Sequence, residues 1–181
     1  MDIIAHGLWT AAATRFANRS KKTEKPIKIG WATFWGIFPD LFAFAPLFSF
    51  LIVGAILGNV NFSHLPGPDS LEPAQGDTLF LFKLTGTLYS MSHSLIIFGI
   101  VLGLIYVILK RFPWEMMGWL LHVLIDIPTH SYAFYPTPFL WPLSDVKLGG
   151  LSWANPWFMA VNYAAIIIVY IILWRTGKKK T

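Results

Sequence analysis

The sequence predicts an all-α integral membrane protein, a single domain over residues 1–181 that forms a bundle of four to five transmembrane helices. Two observations lead to this fold class. First, 55% of the residues are hydrophobic and 13% are charged, with a mean hydropathy of +0.57, whereas a soluble domain carries about 25% charged residues. Second, four apolar stretches approach or exceed the ~20 residues that a membrane-spanning helix needs. They are residues 29–58, 90–109, 114–130 and 157–174.

Two of the predicted elements need separate treatment. Residues 2–17 form a shorter segment that mixes apolar, small and polar side chains, so it could span the membrane or lie flat in the interface. The stretch 29–58 is too long for one straight span. Pro39 and Pro46 are expected to divide it, because proline removes a helical hydrogen bond and bends the helix.

The basic residues predict the orientation in the membrane. If the four long stretches alternate across the bilayer, 12 of the 14 basic residues fall on one side, and the positive-inside rule assigns that side to the cytoplasm. We therefore expect a multi-pass protein of the cell (inner) membrane with a cytoplasmic C-terminus and with loops 59–89 and 131–156 facing outward. The twelve are Arg15, Arg19, Lys21, Lys22, Lys25, Lys28, Lys110, Arg111, Arg175, Lys178, Lys179 and Lys180.

The polar residues inside the apolar stretches are candidates for function. The chain has no cysteine, which excludes disulfides and thiolate metal ligands and leaves His, Asp and Glu as the expected ligands. An aspartate in the middle of a membrane helix costs ~2.5–3.5 kcal/mol on insertion scales, so such residues usually face the bundle interior and carry function. The candidates are His6, Asp40, His93, His122, Asp126 and His130.

The segment His122 to His130 contains the most informative spacing. His122 and Asp126 are four residues apart, so their side chains lie on one face of a helix. Such a pair can bind one divalent ion, since imidazole and carboxylate are both zinc ligands. It can equally form a neutralising hydrogen bond or a proton relay. His130 continues the spacing as a spare candidate, although Pro128 is expected to bend or end the helix before it.

Helical rise places several of these residues at one depth. At about 1.5 Å per residue, Asp40, Asp126, His122, His6 and also His93 fall in one slab between the middle and the outer face of the bilayer. Isolated polar residues have no reason to share a depth, whereas members of one cluster do. The sequence therefore predicts a shared polar cluster that binds a metal, relays protons or moves a substrate.

The order of these residues resembles a known family, the membrane-bound metal-dependent hydrolases of the YdjM type. That family looks like a membrane-embedded relative of the zinc-dependent phospholipase C and nuclease superfamily. The sequence Leu-Trp-Pro-Leu-Ser-Asp at residues 140–145 also resembles the family's loop after the last motif helix. The matching blocks are His6, Pro39-Asp40, Ser92-His93-Ser94 and His122-x-x-x-Asp126.

The resemblance implies a set of metal ligands: His6, Asp40, His93, His122 and Asp126. They would hold zinc or another divalent metal, and Asp40 or Asp126 would act as the catalytic base when not bound to it.

Two departures from the family pattern reduce the charge near the site. Phe42 stands where the family often has a second aspartate, and Leu88, Tyr89 and Ser90 stand where it often has His-Arg-Gly. Fewer charged groups could mean fewer metal ions, a more apolar substrate or lost catalysis.

The function expected from these features is a zinc-dependent membrane hydrolase acting on a phosphoester or a lipid-like substrate. The predicted outer side has no basic cluster to hold a second phosphate, so a membrane lipid is an expected substrate and nucleic acid is not an expected partner. One alternative is a non-enzymatic transporter, proton relay or scaffold with a structural metal. Another is a haem protein with His93 and His122 as axial ligands.

Overall fold

The computed structural model describes residues 1–20, 25–59 and 80–177, and this part of the chain is helical without a β-strand. The predicted all-α class is confirmed. A 3₁₀ turn at Trp114–Met116 precedes the fifth helix. The α-helices are α1 (Ile3–Arg19), α2 (Ile29–Ile56), α3 (Phe80–Ser92), α4 (Leu95–Leu109), α5 (Met117–Thr129) and α6 (Pro156–Gly177).

The number of membrane-spanning helices is lower than predicted. In the described ranges only α2 and α6 are long and apolar enough to cross a membrane, and α3 with α4 would make a third span that bends by 64°. The prediction of four to five counted the stretch 114–130, but α5 has only 13 residues, about 20 Å, against a hydrocarbon core of ~30 Å. Apolar composition alone therefore overestimated the number of spans.

Some predicted features lie outside the described residues. They include most of the outward loop 59–89, Lys21 and Lys22, and the lysines at 178–180.

The expected division of α2 at its prolines is wrong. Pro39 and Pro46 both lie inside one continuous helix of 28 residues. Each proline removes a single backbone hydrogen-bond donor. In a membrane bundle, neighbouring helices can satisfy the backbone group that is left without a partner. Ser92 at the end of α3 packs against this region, with its Oγ donating to the backbone oxygen of Pro39 at 3.0 Å.

The break between α3 and α4 places a histidine at a corner of the chain. Ser94 is the N-cap of α4, and its Oγ accepts hydrogen bonds from the backbone N–H groups of Ile96 and Ile97. An N-cap starts a new helix, because it satisfies donors that have no partner in the helix itself. The preceding helix therefore ends at Ser92, and His93 lies at the bend.

Helices α1 and α5 both approach α2 very closely. A Cβ atom at Gly36 would lie 2.2 Å from Oγ1 of Thr10, and one at Gly118 would lie 2.2 Å from the backbone oxygen of Ala32. No real Cβ atom tolerates such a distance, so only glycine fits at these two positions. Small residues commonly allow this close packing between membrane helices.

The close approach brings polar residues together. Thr10 of α1, Gly36 of α2 and Gly118 of α5 each lie four residues from a polar side chain of the same helix. These side chains are His6, Asp40 and His122, respectively. Four residues are about one helical turn. The packing of α2 against α1 and α5 therefore sets these three side chains near one another.

The irregular segment between α5 and α6 folds over the same end of the bundle. The backbone oxygen of Phe139 accepts from Leu95 N at 2.9 Å, and Gly150 N donates to the oxygen of His130 at 2.7 Å. Ser94 Oγ also donates to the backbone oxygen of Trp141. This segment thus covers both the corner at His93 and the end of α5.

Candidate metal centre

The structure brings all five predicted site residues together. His6 comes from α1, Asp40 from α2, His93 from the corner between α3 and α4, and His122 and Asp126 from α5. All five are buried, and only Asp40 keeps a measurable exposure, of 6%. The predicted polar cluster therefore exists, although the individual roles of its members stay predictions.

Four of these residues have the spacing of ligands around one ion. Nε2 of His93 lies 3.1 Å from Nε2 of His122. The same two nitrogens lie 3.4 and 3.1 Å from Oδ2 of Asp126, and 3.5 and 3.7 Å from Oδ1 of Asp40. A tetrahedral site with bonds of ~2.0–2.1 Å has its ligand atoms roughly 3.4 Å apart. The four buried residues therefore lie close enough to bind one metal ion.

The hydrogen bonds of the two imidazoles turn their Nε2 atoms into acceptors. Nδ1 of His122 lies 2.7 Å from the backbone oxygen of Gly36, and Nδ1 of His93 lies 3.1 Å from that of Tyr89. A carbonyl oxygen only accepts, so each Nδ1 carries the ring proton. In a neutral imidazole Nε2 then presents a lone pair, and this is the usual arrangement of a metal-bound histidine.

One positive charge contacts the two carboxylates in the described residues, because the α-amino group of Met1 pairs with Oδ1 of Asp126. In residues 1–20, 25–59 and 80–177 no arginine or lysine forms an ion pair with Asp40 or Asp126, and Oδ2 of each carboxylate has no hydrogen-bond partner. Burying a carboxylate without a partner is strongly disfavoured. A divalent cation would balance the remaining negative charge and the two facing lone pairs, so the donor set fits a metal.

Ser92 and Ser94 lie on either side of His93 and make different contacts. Ser92 Oγ lies 3.0 Å from Nδ1 of His93 and also bonds to α2, so it helps to orient the ring. Ser94 instead caps α4. Only one of the two serines therefore supports the histidine directly.

His6 lies beside the group of four and not within it. Its ring stacks on that of His122, with 3.6 Å between centroids, and its Nε2 lies 2.8 Å from Oδ1 of Asp126. Beyond this contact, neither ring nitrogen has a hydrogen-bond partner in the described part of the chain. The role of His6 as a metal ligand stays a prediction.

Two further groups contact Asp126. The α-amino group of Met1 forms an ion pair with Oδ1 of Asp126 and lies 3.0 Å from Nε2 of His130. His130 Nε2 is itself 3.4 Å from the same oxygen. The spacing of four residues indicated His130 as a spare candidate, whereas a backbone amine has no side-chain signal, and sequence reasoning missed it.

The site does not fit a haem with the two central histidines as axial ligands. Axial ligands bind on opposite faces of the porphyrin, but Nε2 of His93 and Nε2 of His122 are in direct contact. No ring fits between them.

No protein-family model, curated protein or solved structure matches this chain. The resemblance to the YdjM-type hydrolases stays a prediction from the sequence.

Proposed function

We propose that the protein is an integral-membrane, metal-dependent hydrolase that acts on a phosphoester or lipid-like substrate. The observation that carries the proposal is the buried group of two imidazoles and two carboxylates, whose ligand atoms are spaced as around one ion. Zinc is the proposed metal, because it takes both nitrogen and oxygen ligands in tetrahedral geometry. When bound, such an ion lowers the pKa of water towards ~7 and polarises the ester oxygen.

The two aspartates differ in their access to a substrate. Asp126 is completely buried, and its two oxygens face histidines on both sides. Asp40 is slightly exposed and lines a neighbouring cavity, and its Oδ2 has no hydrogen-bond partner. We therefore assign Asp40 as the general base and not as a ligand during catalysis. His93, His122 and Asp126 would hold the metal and leave room for a bound water, and Asp126 also positions His122.

The proposed hydrolysis balances with one water molecule. Asp40 Oδ2 takes a proton from the attacking water while the hydroxyl oxygen bonds to the phosphorus or carbonyl carbon of the ester. The bond to the leaving oxygen breaks, and Asp40 returns the proton to that oxygen. The backbone oxygens of Gly36 and Tyr89 hold the His122 and His93 rings in place throughout.

In the proposed topology the protein lies in the inner membrane, and its C-terminus lies in the cytoplasm. The C-terminal ends of α1 and α6 lie together, since the Arg19 guanidinium donates to the backbone oxygen of Leu173 at 2.5 Å and to Thr176 Oγ1. Two of the basic ends counted on one side of the membrane are thus neighbours in space, which supports placing both on the side that the positive-inside rule assigns to the cytoplasm.

Metal removal tests the function directly. The purified full chain is analysed for bound metal, then assayed against a phospholipid in mixed micelles and against a soluble phosphodiester, before and after chelation. We expect divalent metal in the purified protein, loss of hydrolysis with chelator and recovery on adding zinc. Metal-loaded protein that is stabilised by its ion but hydrolyses neither substrate would favour a structural site in a transporter or scaffold instead.

A further inference from the structure

An apolar cavity of about 530 Å³ adjoins the metal centre. Its volume lies within the range of about 300–1,000 Å³ that is typical of small-molecule sites. Asp40 and His130 line its polar end, so the cavity and the group of four ligands share a residue. Its apolar wall includes Phe44, Leu47, Phe48, Leu51 and Phe82.

The cavity follows one face of α2. Counted from Asp40, the lining residues of this helix are 4, 7, 8 and 11 positions further along, which is the spacing of a single helix face. Eleven residues of helix extend about 16 Å. The cavity is therefore long and narrow in this direction, with a carboxylate at its beginning and Leu51 towards its far end.

The lining chemistry fits a hydrocarbon chain. In the described part of the chain no lysine or arginine side chain lines the cavity, and its ionisable groups belong to Met1 (the α-amino group), Asp2, Asp40, His130 and Tyr135. The wall along α2 beyond Asp40 is aliphatic and aromatic, and α2 is a candidate membrane span. Within the hydrocarbon layer the available ligands of this shape are the chains of membrane lipids.

We propose that this cavity holds one hydrocarbon chain of a membrane lipid along α2, with the ester linkage of that lipid beside Asp40. The statement that this lipid is a substrate rests on the proposed function, whereas the statement that a hydrocarbon chain occupies the cavity does not. A lipid bound in this way places its hydrolysable bond at the polar end, beside the Asp40 carboxylate.

A matched pair of neighbouring substitutions tests the proposal. Leu51→Trp fills the far end of the cavity, whereas Ile52→Trp adds the same side chain at the next residue of α2, which is 60% exposed and does not line the cavity. Leu51→Phe is a milder filling variant in case the tryptophan impairs folding. Retained metal content and thermal stability show that each variant has folded.

The first readout is photolabelling with a phospholipid that carries a diazirine at the end of one acyl chain. In detergent micelles we expect labelling of peptides that contain Leu51 and Phe82. Both filling variants should lower it several-fold, and Ile52→Trp should leave it at the wild-type level. Equal labelling of the wild type and the filling variants would overturn the proposal.

The second readout separates this proposal from the proposed function. If the protein hydrolyses lipids, the filling variants should lower the ratio of long-chain to short-chain turnover, because only a long chain reaches residue 51. An unchanged ratio would overturn the proposal even with an active enzyme. If no ester is hydrolysed, the proposed function fails. The decrease in photolabelling of the filling variants then decides alone whether a chain occupies the cavity.

Discussion

Nε2 of His93 lies 3.1 Å from Nε2 of His122, although each ring keeps its proton on the opposite nitrogen, against a backbone oxygen. Two imidazole lone pairs in contact repel each other unless a cation lies between them. The arrangement is made by two distant parts of the chain, the corner before α4 and the middle of α5. The metal assignment depends on this contact together with the two carboxylates that surround it.

Replacing Asp126 should remove both metal and activity. Asp126→Asn keeps the size of the side chain but loses the negative charge that faces His93 and His122 at 3.4 and 3.1 Å. We expect metal content and hydrolysis to fall together by at least about tenfold, within the range seen when support of a metal site is lost. Elemental analysis and the micelle assay measure the two quantities.

Asp145→Asn is the matched control, because it makes the same chemical change at an exposed position outside the site. It should leave both quantities unchanged. An Asp126→Asn protein with full metal content and full hydrolysis would contradict the assigned role. Lowered stability and yield with no activity in the wild type would instead indicate a structural cluster.

Replacing Asp40 should separate chemistry from metal binding. Its Oδ1 makes the two longest contacts of the group, 3.5 and 3.7 Å to the histidine nitrogens, so Asp40→Asn should retain more metal than Asp126→Asn. Removal of a general base typically lowers the rate by about 10²–10⁴-fold. We expect kcat to fall in that range in metal-loaded Asp40→Asn protein. Wild-type kcat in this variant would show that another group takes the proton.

Adding one methyl group at Gly36 should push α1 away from α2. The new Cβ would lie 2.2 Å from Oγ1 of Thr10, and overpacking of this kind typically costs about 1–3 kcal/mol. Gly36→Ala should therefore lower the Tm in detergent and weaken metal binding, because His6 and Asp40 lie one turn away on the two helices. Differential scanning fluorimetry and metal titration measure both effects.

Gly99→Ala serves as the comparison for that substitution. Gly99 lies inside α4, and an added Cβ there meets no atom within 4 Å. Alanine favours a helix over glycine by roughly 0.8–1.0 kcal/mol, so this variant should be as stable as the wild type or more stable. If Gly36→Ala behaved like Gly99→Ala, the close contact of α1 with α2 would not exist in the protein.

The proposed topology predicts the result of reporter fusions after Thr181. Twelve of the 14 basic residues lie on the predicted cytoplasmic side, so a fluorescent protein that matures only in the cytoplasm should be bright. Alkaline phosphatase, which becomes active only outside the cytoplasm, should stay inactive at the same position. The reverse pair of results would invert the orientation.

Local sequence patterns predicted the helical class, the candidate membrane spans and the residues of the polar cluster. The spacing of His122 and Asp126 could be interpreted directly, because two residues four apart share a helix face whatever surrounds them. Burial could be inferred in the same way, since a charged residue in apolar sequence needs a partner. Such local rules depend only on residue type and separation along the chain.

The lengths of the helices, their continuity through proline and the contacts between their atoms became visible in three dimensions alone. Apolar composition does not show that α5 ends after 13 residues, or that α2 continues through Pro39 and Pro46, because both depend on capping and on packing against neighbours. The contact of the Met1 amine with Asp126 and the cavity beside Asp40 join distant segments. Their positions depend on how closely the helices approach one another. Glycine packing sets that distance in three dimensions, and residue spacing along the chain does not encode it.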